Sequence, residues 1–509
     1  MLIRAVAVLA GAGLYALALP PFDLAFLGWF TLVPLLLVVR GRSVGSAFAY
    51  GLLYGCAGAW MVSGFLVQAV ARYFAVGMPV AVLALSVVYV VVFAPTFGLF
   101  GAGAATLLRC GNRSAERLAI PALWVATELL RGRLMGQPWG LLGYTQHGHV
   151  GLIQVAAVTG VYGVSFLLAL GSAAIASAVV ALRAGRPLRS LLRLLVPPAA
   201  LIGALWTGGA VLAEGGPVGG FAAHPVAIVQ TNVPPAFEWT RAYAERQFLA
   251  HVRATEGLPR KPQPALIVWP ENAITEYLET EPLLAAELGD LAGRHHADVL
   301  FGAPRYEDGR TYNSVRLITA AGRNGGHYDK QHLVLFAEAD PLSLPAEAEA
   351  SESPRRFSAG SKPGVLQSFV PLGVSICHEI IYPDLVSRAV RAGAALLVNV
   401  SNDGWLDGGS GIASRQHFAM AVFRSVETRR YLVRGAVTGV SGVVDPFGRI
   451  IDSLPPHQPG TVIASVAGRN TLTPYVRLGD AFAFGCALWA AAALAARRPT
   501  IAWHRRPAE

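Results

Sequence analysis

Apolar residues are not spread evenly along this chain. Through residues 1–213 they form long runs punctuated by arginine; through 220–470 they form short runs between polar stretches; over 478–496 they form one more long run. A bilayer core takes about 20 apolar residues per spanning helix. Candidate spans lie near 5–21, 26–39, 45–70, 76–107, 118–130, 152–182, 190–213 and 478–496, the second carrying Pro34 and the fifth Glu128. The pattern predicts a membrane α-helical bundle of about eight transmembrane helices, with an α/β domain inserted before the last. It divides the chain into a bundle over 1–213, a soluble domain over 220–470 and a C-terminal span over 478–496.

Within 220–470 the period changes. Strand-like runs at 226–232 and 265–273 are each followed by a helical pattern, at 240–256 and 283–296. A strand pair follows at 298–306 and 313–322. The alternation then continues through 365–379, 382–393, 394–403 and a helix near 414–430, closing with a hairpin around Asp445 and Gly448. Strands alternating with helices of this length predict a layered α/β fold. Residues 337–364, rich in Ala, Glu, Ser and Pro, read as a loop.

Composition sharpens the membrane reading. Only 14% of residues are charged, against about 25% in soluble proteins, and mean hydropathy is +0.47. Arginines cluster in alternate loops: Arg40 and Arg42; Arg109, Arg113 and Arg117; Arg183, Arg186, Arg189 and Arg193; Arg497 and Arg498. Cytoplasmic loops carry such an excess, so eight spans put these clusters in the cytoplasm and the 220–470 domain outside it. This placement accounts for much of the net charge of +10, and nucleic acid is not an expected partner. Arg131 and Arg133 fall on the other side.

Candidate chemistry sits at strand ends, where α/β folds place it. "IVWPENA" ends in Glu271, which burial would suit to general-base work. "HYDKQHLVLFAE" brings Lys330, one of three lysines in the chain, and Glu338. "ICHEIIY" carries Cys377, His378, Glu379 and Tyr382. Cys377 is the soluble domain's one cysteine, which excludes a disulfide framework there. "SNDGW" supplies Asn402, Asp403 and Trp405, and "QTNVPPAFEW" ends in Trp239. Spaced Cys/His partners for a metal are lacking, and no metal or cofactor is expected. A buried core cysteine, a satisfied carboxylate and a surface lysine are the bland alternatives to each functional reading.

The order Glu271, Lys330, Cys377 resembles the nitrilase, or carbon–nitrogen hydrolase, superfamily, with its Glu base, Lys and Cys nucleophile. A bundle before and a helix after that domain resembles the bacterial apolipoprotein N-acyltransferase family. "ALPPFDLAFLGWFTLVPLL", "WVATELLRG", "GQPWGLLGYTQ", "YNSV", "SNDGW", "QHFAMAVFRSVETRR" and "TPYVRLGD" recur in that order. The likeness makes 124–146, with Arg131 and Arg133, an outer-facing loop. Departures fall at Leu335, Ala337, His378 and Val437.

The resemblance implies an α-β-β-α sandwich on a multi-pass inner-membrane protein, monomeric, with its catalytic domain periplasmic. The expected reaction moves an acyl chain from a membrane phospholipid, through a Cys377 thioester, to the α-amino group of a diacylglyceryl-modified apolipoprotein. Glu271, Lys330 and Cys377 would be catalytic, with Glu338, His378 and Glu379 supporting them. Trp239, Trp405, Asn402 and Tyr382 would meet substrate. The rival readings are a membrane-tethered amidase, a non-catalytic envelope scaffold and a transporter built around Glu128.

Overall fold

The computed structural model describes residues 1–109, 113–216, 220–236, 239–334, 337–339, 356–406 and 408–496, the side chains of 113–117 excepted. Most of the loop expected over 337–364, the side chains of Arg113 and Arg117, and Leu335, Arg497 and Arg498 lie outside the described residues.

The soluble domain is built on β1 (Ala223–Gln230), β2 (Leu266–Val268), β3 (Asp298–Glu307), β4 (Arg310–Ile318), β5 (Asn324–Asp329), β6 (Val365–Gln367), β7 (Pro371–Ile376), β8 (Leu396–Ser401), β9 (Leu432–Ala436), β10 (Ser441–Val444), β11 (Ile450–Leu454) and β12 (Gly460–Ala467). They form two six-stranded sheets, ordered β12-β1-β2-β3-β4-β5 and β11-β10-β9-β8-β7-β6. Each has a parallel centre, β1-β2-β3 in one and β7-β8-β9 in the other, flanked by antiparallel strands.

Side-chain alternation along the strands produces the layers. Val226, Ile228, Leu266 and Val268 face Leu372, Val374, Val398 and Val433 across the space between the sheets. Ala227, Val229, Ile267 and Trp269 face the other way, onto the helices Arg241–Glu256 and Pro282–His295. The second sheet is covered by Pro383–Arg391 and Ile412–Thr428. Apolar residues of this last layer, Val386, Phe418, Val422 and Val426, share one core with Leu142, Tyr144, Ile153 and Val161 of the bundle. The architecture is an α-β-β-α sandwich whose outer helix layer is continuous with the membrane part.

Strands β5 and β12 were not expected. "NGGHYD" has no apolar alternation to announce β5, and β12 pairs with β1, which lies more than 200 residues earlier.

In the bundle, three described helices are long and apolar enough to cross a bilayer: Met78–Leu108, Val161–Arg183 and Leu188–Glu214. A fourth span arises if Val44–Ser63 and Leu66–Tyr73, bent by 73°, count as one. Leu2–Ala18, Ala25–Val39, Val150–Thr159 and Ala481–Ala495 are shorter apolar segments. Two expectations need correction. The span over 152–182 breaks at Gly160, which adopts φ +66°; a Cβ there would lie 2.5 Å from the Tyr475 ring. The stretch 124–133 is not loop but the end of the helix Arg113–Arg133. Its Arg131 lies over the Phe97 ring at 5.2 Å, and its Arg133 pairs with Asp480 at 2.5 Å and Asp384 at 3.2 Å. Glu128 accepts hydrogen bonds from Trp124 Nε1 (3.0 Å) and the Leu142 N–H (2.7 Å). The first bond lies within the helix, and the second ties the helix to the turn that follows it.

Polar ties cross the junction. Gln416 donates to the carbonyls of Pro20 (3.1 Å) and Val62 (2.9 Å) and accepts from Trp139 Nε1 at 2.7 Å. Glu427 accepts from the N–H of Val161, the first residue of its helix, and from Arg424 Nη2, both at 3.0 Å. Glu427 and Arg424 are 1% and 0% exposed. Removing one partner of a buried pair strands the other charge, which costs about 3–5 kcal/mol. Glu427→Ala is therefore expected to abolish or strongly depress thermal stability in detergent. Arg294→Ala, which breaks an exposed 2.7 Å pair with Glu256, should cost under about 1 kcal/mol by the same assay.

Candidate active site

Glu271 follows β2 through Trp269 and Pro270, and Asn272 then turns the chain at φ +54°. The segment lies against Gly302 of β3, where a Cβ would come within 2.6 Å of the Glu271 Cα. Only glycine permits that approach. Lys330 follows β5, its N–H bonded to the Asn313 carbonyl (2.9 Å) and its carbonyl to the Gly360 N–H (2.8 Å).

These two side chains and Glu338 meet in one buried cluster. Lys330 Nζ lies 2.7 Å from Glu338 Oε1 and 3.4 Å from Glu271 Oε1. Asn313 Nδ2 donates to both carboxyl groups, at 2.8 Å each. The Asn402 N–H donates to Glu271 Oε2 at 2.7 Å, and the Val334 N–H to Glu338 Oε2 at 2.9 Å. Lys330 is 1% exposed. Burial works against its charge, but Glu338, Glu271 and Cys377 outweigh that and hold its pKa above the ordinary lysine value.

Cys377 stands where β7 turns into the short 3-10 helix Cys377–Ile381. Its φ is +53°, a region sparsely populated by non-glycine residues and worth about 1–3 kcal/mol of strain. The surroundings impose it. Asn399 Nδ2 donates to the Cys377 carbonyl at 3.2 Å. Glu379 accepts from the N–H groups of Ile376 (2.8 Å), Gln331 (2.7 Å) and His332 (3.0 Å) and from the Tyr328 hydroxyl (2.9 Å). Glu379 thereby ties the Cys377 turn to the segment carrying Lys330. Burial pushes its pKa up to about 7, opposed by those N–H donors.

The Cys377 side chain is 1% exposed. Burial, then the Glu271 charge, push its thiol up; Lys330 and a hydrogen bond with Ser401 pull down without prevailing. The raised pKa favours the protonated thiol at neutral pH, with the charges of Glu271 and Lys330 acting on it, as a base-assisted nucleophile requires. The buried amide oxygens of Asn313 and Asn402 and the His378 Nδ1 have no hydrogen-bond partner among the described residues.

The remaining expected residues are near but differently engaged. His378 packs edge-on to the Tyr382 ring at 5.5 Å. Tyr382 stacks on His332 at 4.4 Å and donates its hydroxyl to the Gly136 carbonyl of the bundle at 3.0 Å. Asn402 contributes its backbone. Trp405 and Trp239 are half-buried, on segments that converge: a Cβ at Gly404 would meet Pro235 at 3.1 Å. The bundle helix Leu66–Tyr73 reaches the same region, Tyr73 donating to the Ala337 carbonyl at 3.0 Å.

Sequence reasoning missed Asn313 as a site residue, although "YNSV" put it on a strand. It also missed a buried network behind the cysteine. Asp403 accepts from Ser401 (2.7 Å) and Arg434 (2.7 Å) and lies 2.9 Å from His417 Nδ1. Arg434 also donates to Asn399. Burial opposes the Asp403 carboxylate, but Arg434 and His417 hold it well below the usual range.

Two family models match the chain: apolipoprotein N-acyltransferase N-terminal domain over residues 11–174, and carbon-nitrogen hydrolase over 225–475. Apolipoprotein N-acyltransferase of Geobacter metallireducens is 34% identical over 97% of this chain and 95% of its own length. The chain belongs to the apolipoprotein N-acyltransferase family. The enzyme of that name from Methylococcus capsulatus is 32% identical over 98% of this chain and 97% of its own. Among solved structures, an amidase of the nitrilase superfamily from Nesterenkonia AN1 matches at 17% identity and TM-score 0.38, over 51% of this chain and 95% of that one.

The raised thiol pKa has a measurable consequence. The neutral form predominates at pH 7, and the reactive thiolate grows about tenfold per pH unit until the raised pKa is reached. Alkylation of Cys377 by iodoacetamide, followed by peptide mass spectrometry, is expected to climb from pH 7 to pH 10 without a plateau. A plateau below pH 8 would show a stabilised thiolate instead.

Proposed function

We propose that this chain moves a fatty acyl group from a membrane phospholipid to the α-amino group of the diacylglyceryl-modified cysteine at a lipoprotein N-terminus. The observation that carries the reading is one buried ammonium holding two carboxyl groups, with the buried Cys377 thiol within reach of their charges, in a chain that aligns with this family over nearly its whole length.

The Cys377 sulfur attacks the donor's ester carbonyl while Glu271 takes the thiol proton. Collapse of the tetrahedral adduct breaks the C–O bond, and Glu271 passes the proton to the leaving lysophospholipid oxygen. A thioester remains. The amine of the lipoprotein then attacks that thioester, Glu271 takes its proton, and the thiolate departs and is reprotonated. The product is an amide, and the scheme is ping-pong. Lys330 and the His378 backbone N–H stabilise the oxyanion in both halves; one such donor is worth about 2.7–4 kcal/mol of barrier. Glu338 and Asn313 keep Lys330 and Glu271 in register, and Glu379 fixes the cysteine turn against the Lys330 segment. Trp239, Trp405, Asn402 and Tyr382 border the acyl entrance beside the helix Leu66–Tyr73.

The chain acts as a monomer with eight spans in the bacterial inner membrane, its sandwich on the periplasmic side. Arginine placement supports this orientation. The helix Val161–Arg183 begins at Glu427 of the sandwich and ends at Arg183, beside Arg186, Arg189 and Arg193, as the cytoplasmic excess of basic residues requires.

Exposure of the purified protein to phospholipid should add one acyl mass to the intact chain, absent in Cys377→Ser and discharged by a diacylglyceryl-cysteinyl peptide. No adduct, with hydrolysis of small soluble amides instead, would establish a tethered amidase.

A further inference from the structure

One cavity in the membrane part is remote from the thiol. It measures about 660 Å³, within the range of roughly 300–1,000 Å³ usual for small-ligand sites. It lies between the helices Val161–Arg183 and Leu188–Glu214, with Leu108, Ile120, Leu170 and Leu201 among its walls. Arg40, Arg186 and Arg193 also line it, and no aspartate or glutamate does so among the described residues. None of the three arginines makes a side-chain hydrogen bond or ion pair among the described residues.

Its position along the helices is fixed at both ends. Val161 touches Glu427 of the sandwich, and Arg183 lies about 33 Å further along the helix axis at 1.5 Å per residue. The cavity takes only the far half, from Leu170 to beyond Arg183. The partner helix follows the same rule: residues 190–201 line the cavity, whereas Trp206, nearer the sandwich, packs on His149. An apolar slot with an unpaired cationic mouth at one bilayer face has the chemistry of a phospholipid site. Basic pockets between spanning helices at such a face take anionic headgroups.

We propose that this cavity binds one anionic phospholipid of the leaflet facing away from the sandwich, with its phosphate on Arg40, Arg186 and Arg193 and an acyl chain between the two helices. The bound lipid is not the acyl donor. It braces Leu188–Glu214, whose apolar window is only 6% buried in the protein and whose chain leads directly into β1.

The test uses the full-length protein, delipidated in detergent and titrated with ether-linked phosphatidylglycerol, which cannot donate an acyl group, under native mass spectrometry. Wild type should retain it at least tenfold more tightly than ether-linked phosphatidylcholine. Each arginine near a lipid surface contributes about fivefold, so Arg186→Gln/Arg193→Gln should weaken retention about 25-fold while Cys377 still acylates at the wild-type rate. Arg186→Gln alone, in an exposed turn, should lose about fivefold and covers the case of a misfolded double variant. Ala174→Phe, which fills the slot without touching charge, should also release the lipid. Equal retention by wild type and the arginine variants, or displacement by inorganic phosphate at the lipid's concentration, would overturn the proposal.

Discussion

The cluster at the site depends on how a single ammonium is buried. Lys330 is 1% exposed, and an unpaired cation there would cost several kcal/mol in desolvation. Glu338 at 2.7 Å and Glu271 at 3.4 Å remove that penalty, and Asn313 holds the two carboxyl groups at fixed spacing. The four residues come from the end of β2, from β4, from the end of β5 and from the segment after it. Their mutual need therefore aligns one edge of the first sheet. Cys377 arrives from the second sheet, and Glu379 binds its turn to Gln331 and His332, next to the lysine. The two sheets are thus registered to each other by polar contacts at the place where the chemistry is proposed, with an apolar core behind.

The same logic links the site to the membrane part. The cysteine carbonyl is held by Asn399, Asn399 by Arg434, and Arg434 by Asp403, which lies beside His417. His417 lies 5.5 Å from the Trp139 ring, and its neighbour Gln416 bonds to Pro20 and Val62. Acylated substrates bury about 0.8 kcal/mol per CH₂ in the bilayer and do not leave it readily. An enzyme for them must work at the lipid surface, and the helix layer shared between sandwich and bundle fixes the cysteine's domain to the apolar helices.

Much of this was legible in the sequence, for identifiable reasons. Glu271 and Cys377 stood out because each follows an apolar run that reads as a buried strand, Lys330 because the chain holds only three lysines, and their order matched one family. A layered α/β domain was legible from the change of period after residue 220, and its sandwich form from the family resemblance. Hydropathy does not register a left-handed glycine, so 152–182 read as one span although Gly160 breaks it. β5 has no apolar pattern, and β12 gains its identity from a partner across the whole domain. Buried charges were the hardest to see: Arg434, Glu427 and His417 look like surface residues in sequence, and only the contacts show that each has a charged partner inside. Arg133 read as outer-loop charge and is instead paired with Asp480 and Asp384.

The most direct measurement is single-turnover release of lysophospholipid by Lys330→Met, which keeps most of the side chain's length and removes its charge. In the fraction of this variant that folds, the thioester is expected to form at least about 10³-fold more slowly than in wild type, since the proposed oxyanion donor and the tie between the two carboxyl groups are both removed. Thioester formation within tenfold of wild type would contradict the account.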